Sequence, residues 1–153
     1  MFDAEQRRVL LVDDNEATRT LIKAILQRDF IIEQALDGKD AIDKLHTNHY
    51  ASILLDLRMP EHDGFTVLDF LKANQPEMLP HVLVVTASLA SKDLNRARSY
   101  GVADIVAKPF DVESLLEAVK KCAGVEEKGT RINMMASAPI ILFIADLLKD
   151  KIS

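Results

Sequence analysis

SILLDLRMPEHDG, residues 52–64, carries an apolar run into an aspartate and follows it at once with Arg58, Pro60 and Gly64. A continuous run such as Ile53, Leu54 and Leu55 suits a parallel strand covered on both faces, and the proline and glycine beyond it mark a turn. Asp56 is thereby predicted at the carboxyl end of a buried strand. The same signature appears in VLLVD (9–13), HVLVVTA (81–87) and ADIVAKP (103–109), while FIIEQAL (30–36) reads as a more alternating strand. Helical patterns separate these runs. Residues 15–29 place Ala17, Leu21, Ala24, Ile25 and Arg28 at helical spacing behind an N-capping Asn15. Residues 37–48 carry Ala41, Ile42 and Leu45, and residues 64–74 carry Phe65, Leu68 and Leu71 and stop before Pro76. A rather polar helix over 91–101 is closed by Gly101, and a last one over 111–124 has Asp111 and Ser114 at its start and Gly124 at its stop. Five strand and helix pairs in strict alternation predict an α/β fold, a doubly wound, five-stranded parallel sheet with right-handed crossovers.

Composition sets the outer limits. The chain has 153 residues, 48% hydrophobic and 28% charged, which is enough for one domain with a sizeable core and too little for a second full one. Its net charge of -5 leaves no reserve of positive charge for phosphate backbones and argues against direct nucleic-acid binding. The single cysteine, Cys122, has no partner at disulfide or zinc spacing and reads as a packing residue of a reducing compartment. Charges appear almost from the first residue, and the run Val9–Val12 is far too short for a signal peptide or a membrane span. The protein is expected to be cytoplasmic.

In doubly wound sheets, ligands bind beyond the carboxyl ends of the strands. The polar residues of this chain gather there: Asp13 and Asp14 end the first strand, Asp56 the third, Thr86 the fourth, and Lys108 with Pro109 the fifth. Taken singly, a strand-end aspartate is an ordinary turn or cap residue and a threonine an ordinary strand former. Their concentration on one predicted edge is harder to assign to chance. Three converging carboxylates either hold a proton or recruit a cation, and an all-oxygen donor set favours Mg²⁺. With Lys108 as a fixed positive charge and the Thr86 hydroxyl as a hydrogen-bonding group, the edge is suited to a phosphoryl group, and Asp56 is the natural nucleophile for an aspartyl-phosphate.

LLVDDN, LLDLRMPEHDG, VVTA and AKPF, in this order, resemble the receiver domain of bacterial two-component response regulators over about residues 6–124. The resemblance implies the flavodoxin-like (βα)5 fold with strand order 2-1-3-4-5. It also implies Asp56 as phosphoacceptor, with Asp13, Asp14, Asp56 and the backbone carbonyl of Arg58 as ligands of Mg²⁺. Thr86 becomes the switch hydroxyl and Lys108 the phosphate-binding lysine, often followed in the family by a cis proline bond. The implied function is a phosphorylation-dependent signalling switch, not an enzyme beyond Mg²⁺-dependent self-phosphorylation and dephosphorylation. Its expected partners are a histidine kinase or phosphotransfer protein on the input side and a downstream protein on the output side. Alternatively, the chain is a receiver cut from a longer regulator, or an interaction module whose tail dimerises.

Family members usually carry an aromatic residue three positions before the lysine, where this chain has Ile105, so a rotating ring is not expected to report the state of Thr86. Tyr100 reads as a helix-end packing residue in preference to a substitute ring. Arg58 is open between a solvated loop charge and a cation reaching the phosphoryl group. A haloacid-dehalogenase-like phosphatase would place a second aspartate where Arg58 stands, and a flavodoxin-type binder would need a Ser/Thr/Gly-rich loop that no strand supplies. A degenerate receiver would lack the acids or the lysine. The division along the chain is a receiver domain over 1–124, a polar linker over 125–131 and an apolar, helical C-terminal extension over 132–153. Ile140, Ile141, Ile144, Leu147 and Leu148 would form one broad face of that extension, too short to span a bilayer. Folding back on the receiver and attachment to a membrane surface compete with self-association, and a homodimer through residues 132–152 is the favoured outcome.

Overall fold

A computed structural model describes residues 7–59 and 63–125 of the chain. The linker beyond Val125 and the extension with its dimer lie outside the described residues. Strands and helices alternate as β1 (Arg8–Val12), α1 (Glu16–Leu26), β2 (Ile31–Ala35), α2 (Gly38–Thr47), β3 (Ser52–Leu55), α3 (Gly64–Asn74), β4 (Val82–Thr86), α4 (Ser91–Ser99), β5 (Asp104–Ala107) and α5 (Val112–Ala123). The sheet is entirely parallel, in the order β2-β1-β3-β4-β5.

The continuous apolar runs follow from the pleat, because successive side chains point to opposite faces and both faces are covered. Leu10, Val12, Ile53, Leu55, Val82 and Val84 face a core closed by Ala41 and Leu45 of α2, Phe65, Leu68 and Leu71 of α3, and Ala97 of α4. Their immediate neighbours Val9, Leu11, Leu54, Leu83 and Val85 face the other way, against Leu21, Ile22, Ile25 and Leu26 of α1 and Leu115, Leu116 and Val119 of α5. At roughly 1.5–3 kcal/mol for each fully buried large apolar side chain, these two layers are the main force holding the sheet flat against its helices.

The caps read from the sequence are in place. Asn15 accepts from the Thr18 amide, Asp111 from the Ser114 amide, and Gly124 closes α5 in the left-handed region at φ 73°. The inner face of α1 is made by Thr18, Leu21, Ile22, Ile25 and Leu26, which are buried, while Ala17 and Ala24 are half-buried and Arg28 is exposed beyond the helix end. A 3₁₀ turn over Pro76–His81 joins α3 to β4 and buries Leu79, an element that its two prolines concealed in the sequence.

β1 lies between β2 and β3, so the connections out of β1 and β3 leave on opposite faces of the sheet and open a crevice at their carboxyl ends.

Candidate functional site

That crevice holds the acids. Main-chain hydrogen bonds continue the sheet just past its strands: the Asp13 amide donates to the Ala35 carbonyl at 3.2 Å and the Asp56 amide to the Val12 carbonyl at 3.0 Å. These bonds aim two buried carboxyls, 2% and 7% exposed, into one pocket, with Asp14 exposed at its mouth. Carboxylate oxygens of Asp13, Asp14 and Asp56 lie within 4.8 Å of one another. Lys108 enters from β5 on the far side, its Nζ 2.7 Å from Asp13 Oδ2 and 3.3 Å from Asp56 Oδ2. The Lys108 amide donates to the Thr86 carbonyl at 2.9 Å, and the Lys108–Pro109 bond is cis. Thr86 is fully buried, and its Oγ1 accepts from the Ser88 amide at 3.1 Å. Asp13, Asp14, Asp56, Thr86 and Lys108 therefore all stand on the carboxyl edge.

Burial pushes the Asp56 carboxyl above its ordinary range, Lys108 opposes the shift, and the negative charge of Asp13 adds to it. Neutralising this pocket requires positive charge, and Lys108 supplies only one unit to two buried acids. The donor set fits a hard divalent cation: it is all oxygen, it is anionic, and its span is close to the roughly 4 Å separating opposite ligands around Mg²⁺ at ~2.1 Å. Removing Lys108 would leave two buried carboxylates facing each other without counter-charge. Lys108→Ala is expected to lower stability at pH 7 by about 2–4 kcal/mol, with a smaller deficit at pH 4, where protonation relieves the repulsion. Urea unfolding at the two pH values checks this, and an equal deficit at both would contradict it.

Three supports were not foreseen from the sequence. The buried Arg19 of α1 donates from Nη1 to the Asp13 carbonyl at 2.8 Å and from Nε to Gln34 Oε1 at 3.1 Å, clamping the turn that carries Asp13. Gly64 packs against the peptide of Asp56 so closely that an added Cβ would lie 2.3 Å from the Asp56 carbonyl oxygen. Arg58 does not enter the pocket with its side chain: its amide donates to Asp56 Oδ1 at 3.3 Å, while its guanidinium pairs with Asp93 on α4. Gly64 was visible in the opening motif, but its crowding is a tertiary fact, and nothing in the sequence linked Arg58 to an acid 35 residues away. Tyr100 caps the end of α4, packs against the core and donates to Asp69, as expected of a packing residue. Ile105 is half-buried against the same core.

A family model described as the response regulator receiver domain matches residues 9–120. The transcriptional regulatory protein TctD of Salmonella typhimurium is 38% identical over 109 residues, 71% of this chain and 48% of that protein. SrrA of Staphylococcus aureus, also a transcriptional regulatory protein, is 35% identical over 115 residues, 73% of this chain and 46% of that protein. The chain thus spans less than half the length of these curated relatives. Among solved structures, the receiver domain of a Francisella response regulator superposes with a TM-score of 0.69 at 26% identity, covering 77% of this chain and 97% of that one. The receiver domain of a Pseudomonas aeruginosa sensor histidine kinase, solved with a magnesium ion coordinated in its active site cleft, gives 0.70 at 27% identity, covering 77% and 98%.

Proposed function

The chain belongs to the response regulator receiver domain family, and from that membership we propose that its switch is thrown by phosphorylation of Asp56. The observation that carries the reading is the pair of buried acids, Asp13 and Asp56, joined by Lys108 beside a third carboxylate. An Asp56 carboxylate oxygen attacks the phosphorus of a phosphohistidine, the new P–O bond forms as the P–N bond breaks, and the bonding pair departs with the imidazole. The Lys108 ammonium pairs with a phosphoryl oxygen, and the Thr86 hydroxyl, whose oxygen accepts from the Ser88 amide, donates its O–H to another. Asp13, Asp14, Asp56 and the main-chain carbonyl of Arg58 would hold Mg²⁺, which supplies the positive charge that lets an anion approach an acidic pocket. The residues are arranged for one transfer and a conformational reply, not for turnover of a substrate pool.

The input partner is a histidine kinase or phosphotransfer protein, and the output is a contact with a downstream protein in the cytoplasm. Among the described residues no helix is long and apolar enough to cross a membrane. Acetyl phosphate with Mg²⁺ should add one phosphoryl group by intact mass, and EDTA should reduce uptake at least a hundredfold. Equal uptake in EDTA would overturn the metal assignment. For the extension, self-association through residues 132–152 should make the full chain dimeric and a chain ending at Gly124 monomeric by light scattering. Two monomers would end that reading.

A further inference from the structure

α4 starts differently from its neighbours. Asn15, Asp37, Asp63 and Asp111 cap α1, α2, α3 and α5 through their side chains, whereas α4 begins at Ala90, which has no side chain able to cap. The acid of its first turn, Asp93, is buried, and its bonds run outward instead of to its own helix. Asp93 Oδ2 accepts from Ser88 Oγ at 2.8 Å and from Arg58 Nε at 3.0 Å, with Arg58 Nη2 closing a two-pronged pair on the same oxygen. The other ends of this network touch the acidic pocket. The Arg58 amide bonds Asp56 Oδ1, and the Ser88 amide bonds Thr86 Oγ1. The Arg58 side chain is 61% exposed, so the pair is accessible to exchange, and its guanidinium is tethered two residues from Asp56.

We propose that Asp93 is the positioning residue that withholds Arg58 from the acidic pocket, so that a phosphoryl group on Asp56 competes with Asp93 for the guanidinium and, in winning it, frees the first turn of α4. This rests on the reading of Asp56 as the phosphoacceptor. The competition favours the phosphoryl group, which carries close to two negative charges and three acceptor oxygens against the single charge of Asp93. Loss of Arg58 leaves Ser88 Oγ as the remaining side-chain donor to Asp93 at an uncapped helix start, which converts a change at Asp56 into motion of α4 without an aromatic ring at Ile105.

A double-mutant cycle on the full chain tests this with Asp93→Asn, Arg58→Ala and their combination. In the resting protein, each single substitution should speed exchange of the amides of residues 94–97, which bond to the first turn of α4, at least tenfold, and the double no further. After labelling with acetyl phosphate and Mg²⁺, Asp93→Asn should lengthen the phosphoryl lifetime at least threefold in the Arg58 background and leave it unchanged with Arg58→Ala. Additive exchange, or the same change in lifetime in both backgrounds, would overturn the proposal while leaving phosphorylation of Asp56 standing. No labelling of the parent chain would overturn the reading of Asp56, and the proposal with it.

Discussion

Asp56→Asn is expected to abolish phosphoryl uptake and, at the same time, to stabilise the protein at neutral pH. The first effect follows because the amide cannot serve as the attacking nucleophile. The second follows from burial. The Asp56 carboxyl is raised above its ordinary range chiefly by loss of water and then, against the pull of Lys108, by the charge of Asp13. As pH climbs from below the ordinary carboxylate value, the unfolded chain gives up this proton first, and the folded state loses stability until its own raised value is passed. At pH 7 the ionised group is a net burden that Asn removes. The melting temperature should rise at pH 7, and the gain should fade as pH falls through the ordinary carboxylate range and vanish below about pH 3, where the acid is protonated in both states. Calorimetry across that range checks the sign. A lower melting temperature for Asp56→Asn at pH 7 would mean that Lys108 outweighs burial.

Gly64→Ala should be the most disruptive single-methyl change in the described fold. The new Cβ would lie 2.3 Å from the Asp56 carbonyl oxygen and 2.8 Å from Leu57 Cα, both rigid main-chain atoms at the end of β3. The Gly64 amide also donates to the Leu57 carbonyl at 3.1 Å, so the start of α3 cannot retreat without breaking that bond. The requirement here is for space and not for a left-handed backbone. A loss of about 2–4 kcal/mol is expected by urea unfolding, together with at least a tenfold drop in the rate of phosphoryl uptake as the Asp56 peptide tilts. Gly101 provides the contrast. Its φ is 85° but nothing lies within 4 Å of an added Cβ, so Gly101→Ala should lose only about 1 kcal/mol through backbone strain and leave uptake unchanged. Equal losses at the two positions would contradict the crowding at Gly64.

The strands were legible because both faces of the sheet are covered: runs such as Ile53–Leu55 need no polar alternation and stand out from their surroundings. Asn15, Asp111 and Gly124 were legible because capping is local chemistry, complete within three residues of the helix end. The strand order was not in the alternation itself and came from the resemblance of the motifs. Neither were the contacts that support the pocket. Arg19 at the Asp13 carbonyl, Gly64 against Asp56 and Arg58 on Asp93 all join elements whose proximity exists only after the sheet has assembled. Helical spacing marks a stripe on α1, but which edge of the stripe is covered depends on α5, far away in the chain. Side chains paired across elements leave no periodic trace, and nothing in the polar pattern of residues 91–101 sets Asp93 apart.

Locating the phosphoryl group tests Asp56 as the phosphoacceptor most directly. After reaction with acetyl phosphate and Mg²⁺, reduction with borohydride converts an aspartyl-phosphate to homoserine, which tandem mass spectrometry places by residue. Homoserine is expected at position 56 alone, present with Mg²⁺ and absent when EDTA is added first. Homoserine at Asp13 or Asp14, or a mass adduct on a histidine with residue 56 unchanged, would contradict that assignment.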